Sequence, residues 1–158
     1  MSSFGYLGLF LIGIAGIYAV REYTVYLSLA EEEYREMLEF LYHIKRELRS
    51  FMKTPADIAS GFKDGYLRAN GALDAFARSR GDIMLSKSLI GKADKDMLSA
   101  YFIHFGTGLY EVELEAIGQI TERFGARARE VIGNSEKSRK LTPVIYVFAF
   151  VSLVLLLL

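Results

Sequence analysis

Cysteine is missing from this 158-residue chain, which excludes disulfides and thiolate metal sites and suits a reducing compartment. Histidine is nearly missing. His43 and His104 stand far apart in sequence, and lone histidines without cysteine make a poor metal site. A net charge is missing too. Nineteen Lys and Arg balance nineteen Asp and Glu, which argues against a nucleic-acid partner. There is no Gly-x-x-x-x-Gly-Lys-Ser/Thr loop to cradle a phosphate, no nucleophile elbow and no His-Glu-x-x-His. Glu111 and Glu115 share a helix face at i, i+4 with Glu113 turned away, but no second ligand type stands near them. A catalytic site normally assembles several titratable partners. The reading is therefore a chain without catalytic, metal or cofactor-binding residues, in which any nucleotide hydrolysis belongs to another protein.

Charge is also missing from both ends. Residues 1–20 and 141–158 carry no charged side chain, so every acid and base falls between Arg21 and Lys140. The run Leu141–Leu158 covers about 27 Å as a helix, enough to cross a hydrocarbon core of roughly 30 Å. It is expected to end in the far headgroups. The run Phe4–Val20 is a second span. A secretory signal is the rival reading, but only Met-Ser-Ser precedes the apolar stretch, with no basic n-region and no A-x-A site. A retained anchor is expected. Gly5, Gly8, Gly16 and Ala19 recur at helical spacing. They read either as a small-residue packing stripe or as the glycine content common in membrane helices. Arg123, Arg127, Arg129, Lys137, Arg139 and Lys140 precede the second span and Arg21 follows the first. The positive-inside rule then places the middle of the chain in the cytoplasm and both termini on the other side. The expected domains are an anchor over 1–22, a helical bundle over 23–140 and an anchor over 141–158.

The middle reads as helical throughout. Apolar residues at 34, 37, 38, 41, 44, 48, 51 and 52 form one wide stripe at helical period. Glu31–Glu33 reads as a solvated face or as acids favoured by the helix dipole, with a cation site as the rival. Thr54, Pro55 and Asp57 predict a capped helix start with Pro at its first position. Gly61, Gly65 and Gly71 loosen the helix after that start. A short helix is predicted over 72–78, ended by Gly81. Asp94 or Asp96 caps the next helix, which bends at Gly106 and Gly108. A long helix runs from Glu111 to about Ser138, and Thr142-Pro143 predicts a fresh start at the membrane. Lys92–Asp96 and Glu111–Glu115 read as solvated surface, with partner contact as the rival. No strand alternation and no internal repeat is present. The expected fold is all-α, a bundle of about five helices between two transmembrane helices.

The order of these features resembles the stage III sporulation protein AB family, membrane components of the channel between mother cell and forespore in endospore-forming bacteria. Four features carry the resemblance. They are an anchor at each end of a small helical domain, the run Phe51-Met52-Lys53-Thr54-Pro55, the run Phe105-Gly106-x-x-Leu109, and a long helix leading into an anchor that ends in leucines. The chain departs from the family pattern at Tyr110, where a glycine is expected. Glu113 replaces an expected aspartate and Ile117 an expected glutamine, with Gln119 nearby. The resemblance covers nearly the whole chain. It implies a fold similar to the cytoplasmic helical domains of the platform protein of type II secretion and type IV pilus machines. It also implies docking of a cytoplasmic ATPase similar to stage III sporulation protein AA, and contact with other membrane channel subunits. Thr54, Pro55, Phe105, Gly106, Leu109 and Glu113 are the candidate partner surface. Competing readings are an adaptor of another secretion or pilus system and a small pore or transporter subunit. A pore would need polar residues along its pathway, and only Tyr, Ser and Thr interrupt these spans.

Overall fold

The computed structural model describes residues 3–50 and 53–157, and the side-chain surroundings at 3–6, 82 and 157 fall outside that description. Seven α-helices and no strand occur among the described residues: α1 (Ser3–Ser50), α2 (Pro55–Ser60), α3 (Tyr66–Ala69), α4 (Ala72–Ala77), α5 (Gly81–Met84), α6 (Lys92–His104) and α7 (Tyr110–Leu157). The chain is all-helical, and two of its helices are long and apolar enough to cross a membrane. It divides into two compact units, one of residues 30–131 and one of 1–29 with 132–158. The expected limits at 22/23 and 140/141 lie within two residues of where charge begins and ends, whereas these unit limits follow where the chain packs.

In the unit of residues 30–131, α1 supplies the spine. Met37, Phe40, Leu41, Ile44 and Leu48 are buried along it, an apolar stripe that hydrophobic burial drives inward. From α7, Ile117, Phe124 and Ala128 are buried, and the Tyr34 and Phe124 rings stack at 5.5 Å. Between them Phe76 of α4 joins Phe40, Phe102 and Phe105 at centroid distances of 5.1, 5.7 and 5.0 Å. Edge and tilted packing of this kind adds to plain area burial.

The segments between the long helices are shorter and more numerous than a five-helix bundle would have. Gly81 begins α5 rather than ending a helix. It is buried, and a Cβ there would meet the Phe102 backbone, so glycine serves α5–α6 approach. Helix α6 is capped at Gly91, not by Asp94 or Asp96. The Gly91 N–H donates to the Tyr34 hydroxyl at 3.0 Å, and that hydroxyl donates to Asp94 Oδ2 at 2.8 Å. A side chain from α1 thus bridges the N-cap N–H and the Asp94 carboxylate at the start of α6. Instead of bending at Gly106 and Gly108, the chain leaves the helix after His104 and starts α7 at Tyr110. The Thr54 prediction holds: Asp57 N–H donates to Thr54 Oγ1 and Thr54 N–H to Asp57 Oδ2, both at 3.2 Å, a reciprocal capping box.

The same Thr-Pro pair does not start a helix at Thr142-Pro143. Helix α7 runs through Pro143 without interruption, and the Thr142 hydroxyl donates back to the Ser138 carbonyl at 2.7 Å. A proline removes one main-chain donor, and apolar spans tolerate that loss where a nearby hydroxyl adjusts the ladder.

In the other unit α1 and α7 pack against each other. The Tyr146 ring fills the space beside Gly16, and a Cβ at Gly13 would stand 3.1 Å from the Phe150 ring. The Tyr146 hydroxyl donates to the Gly13 carbonyl at 2.7 Å. Of the small-residue stripe, Gly16 is therefore at the contact, Gly8 faces open space and Ala19 is exposed. Gly5 lies outside the described surroundings. Gly13, which the stripe omitted, takes part in the packing.

Candidate functional site

The two runs singled out in the sequence, fifty residues apart, come together in the unit of residues 30–131. Thr54 and Pro55 form one wall of a cleft of about 300 Å³, and Phe105, Gly106 and Glu113 form the other. Leu48 and Tyr110 add to the lining. Phe51 and Met52 lie outside the described residues. The Thr54 wall is held by its capping box, in which bonds from Thr54 keep the Asp57 carboxyl below its usual value. Lys53 at the edge pairs with Glu47.

The opposite wall is a turn organised by one carboxylate. Phe105 is buried against Phe76 and Tyr101. The chain then reverses at Gly106 with φ of +81°, a conformation that glycine adopts without steric cost. Glu113 Oε1 accepts the N–H of Gly106 at 2.9 Å and of Gly108 at 3.4 Å. Glu113 is itself buried, and hydrogen bonds to a buried carboxylate are among the stronger ones. Leu109 stands 78% exposed beside this turn, with Val112 and Ile103 exposed as well. Leu109 does not line the cleft. It projects from the turn that does. The Tyr101 hydroxyl is buried without a hydrogen-bond partner among the described residues, and burial raises its pKa. It borders a second cleft of about 210 Å³ with Thr107, Val112 and Glu113.

Two further acids act here: Glu33, expected above only as part of the run Glu31–Glu33, and Glu36, for which no expectation was drawn. Glu33 is 0% exposed and accepts the Leu89 N–H at 2.6 Å. Glu36 is buried and accepts the Tyr66 and Leu67 N–H groups, each at 2.9 Å, one on each oxygen. Burial pushes the Glu33 carboxyl up, against the lowering effect of Ser88 and Leu89. Burial likewise pushes the Tyr34 hydroxyl up to about 12. Glu33 therefore belongs neither to a solvated face nor to the start of a helix, since α1 begins thirty residues earlier. The available signal was position: 33, 37, 40 and 44 repeat at helical spacing, so Glu33 falls on the stripe that packs inward. Glu36, Glu33 and Glu113 each accept from main-chain donors of a connecting segment. His43 is buried between a main-chain acceptor and a side-chain donor, with Nε2 3.0 Å from the Ile58 carbonyl and Nδ1 2.8 Å from Arg46 Nη2. Because a carbonyl only accepts and a guanidinium only donates, Nε2 carries the proton.

No family model, no curated protein and no solved structure matches the chain.

Proposed function

We propose that this chain is a non-catalytic membrane platform subunit, in the role that its resemblance to the stage III sporulation protein AB family implies. The bundle lies in the cytoplasm, both termini lie across the membrane, and the mother-cell membrane around the forespore is the location. The bundle docks a cytoplasmic ATPase similar to stage III sporulation protein AA and links it to other channel subunits. The observation that carries this reading is the convergence of Thr54-Pro55 and Phe105–Glu113 on one cleft, with Leu109 held out from a turn that Glu113 fixes. An exposed apolar side chain on a rigid turn beside an apolar cleft is an economical docking element, since little order must be gained on binding.

Both long helices continue from one compact unit into the other, which supports the transmission of force applied to the bundle. Replacing the second anchor with a soluble stop should abolish function in this scheme, and surviving function would remove the coupling from it.

The docking test is co-purification of tagged full-length protein, solubilised gently from membranes of its native host during sporulation. The wild type should bring down an ATPase and membrane channel subunits, and Leu109→Asp should lose the ATPase while keeping the thermal midpoint. A protein that comes alone, or with a solute-transport complex, rejects the platform role. An ATPase from a secretion or pilus machine would move the same role to that setting.

A further inference from the structure

The unit of residues 1–29 and 132–158 has a consistent internal register. Gly16 meets Tyr146 and Gly13 meets Phe150, so α1 and α7 run antiparallel there. Arg21 lies five residues beyond Gly16, about 7.5 Å along the axis, and Lys140 lies six residues before Tyr146, about 9 Å. The two basic residues therefore stand at nearly one height, with Lys137 about one turn further out. At this height α1 exposes Arg21 and Glu22 beside a set of apolar and aromatic side chains. Tyr18, Tyr23, Val25 and Tyr26 are exposed on it, and these residues belong to the unit of residues 1–29 and 132–158. Three exposed tyrosines within nine residues bracket the position where α1 meets its first charge.

We propose that Tyr23 on α1, with Arg21, Lys137 and Lys140, seats in the headgroup layer, with Tyr18 on its hydrocarbon side and Tyr26 on its aqueous side, and that this ring selects anionic phospholipid. This rests on the membrane reading above and adds a lipid chemistry to it. A headgroup layer is roughly 6 Å deep on each side of the hydrocarbon, which spans the height from Lys140 to Lys137. Tyrosine favours that layer because its ring is apolar and its hydroxyl is wet. Lysine and arginine beside it attract lipid phosphates whose net charge is negative. Continuity with the apolar spans identifies the occupant of the exposed tyrosine face as lipid rather than a soluble partner.

The chain contains no tryptophan, so one introduced tryptophan reports one place. Full-length Tyr23→Trp, Phe148→Trp and Tyr42→Trp proteins are reconstituted into vesicles containing either spin-labelled phosphatidylglycerol or spin-labelled phosphatidylcholine, with the label near the headgroup. Tyr23→Trp should be quenched, and about twofold more by the phosphatidylglycerol label. Arg21→Gln, Lys137→Gln and Lys140→Gln together should bring the two labels to equal effect. Tyr42→Trp, exposed on the bundle, should not be quenched. Equal quenching by both labels in the parent would overturn lipid selection. An unquenched Tyr23→Trp with the same label moved into the acyl chain quenching Phe148→Trp would overturn the seating and leave the membrane reading standing. If Phe148→Trp is quenched by neither placement, the membrane reading itself fails.

Discussion

Glu113 accepts the main-chain N–H of Gly106 at 2.9 Å across seven residues of sequence. That bond holds a glycine turn in shape from inside the bundle, and Leu109 projects from the held turn. The candidate surface therefore depends on a carboxylate that does not itself face outward.

Removing that carboxylate should loosen the turn. Glu113→Ala leaves two main-chain donors without a partner and should cost about 1–3 kcal/mol. Glu113→Gln keeps an acceptor oxygen and should cost less. Thermal melts of the full chain in detergent give the order. Equal losses for the two variants would show that side-chain volume, not hydrogen bonding, shapes the turn.

The two buried acids of α1 should respond in opposite ways to amide substitution. Glu33→Gln retains an oxygen for Leu89 N–H and removes a buried charge, so it should be neutral or stabilising. Glu36→Gln sets an amide NH₂ against one of two donors, Tyr66 or Leu67, and should cost about 1–3 kcal/mol. Burial raises the Glu33 pKa above its unfolded value. The folded state thus binds the proton more tightly, so this group adds stability as pH falls and costs stability as pH rises through its folded pKa. The wild-type minus Glu33→Gln difference in melting midpoint should grow in favour of wild type on acidification towards the ordinary glutamate value. A flat difference would refute the buried-charge account.

In the apolar unit, Gly16→Ala puts a methyl into the Tyr146 ring, whereas Gly8→Ala meets nothing within 4 Å. Gly16→Ala should lower the detergent melting midpoint and Gly8→Ala should not. Tyr146→Phe removes the bond to the Gly13 carbonyl and should cost only about 0.6 kcal/mol, the usual scale between membrane helices. Cysteine cross-linking between the two helices, in a chain with no native cysteine, checks that the change is in their packing.

Gly81→Ala should be among the most damaging small changes in the bundle. Its methyl would collide with the Phe102 main chain, which cannot swing aside as a side chain can, and overpacking of this kind costs about 1–3 kcal/mol. Chemical denaturation of the wild type and variant measures it.

What the sequence determined by itself is what rests on local chemistry. Charge-free runs specify the two apolar helices, because length and hydropathy suffice for that. The Thr54-Pro55-Asp57 capping box was legible for the same reason: all of its bonds close within four residues. The identical logic failed at Thr142-Pro143, where the helix continues. A Thr-Pro pair suits a helix start and is also tolerated inside an apolar helix, so its neighbours decide. Tertiary structure alone decided that Tyr34 bridges Gly91 and Asp94 at the start of α6, that Gly81 begins a helix, and that Glu33 and Glu36 turn inward. It also brought Thr54 beside Phe105. Each of these depends on partners about twenty to sixty residues away, and no periodicity within one helix records which main-chain donor a distant loop will leave in need of an acceptor.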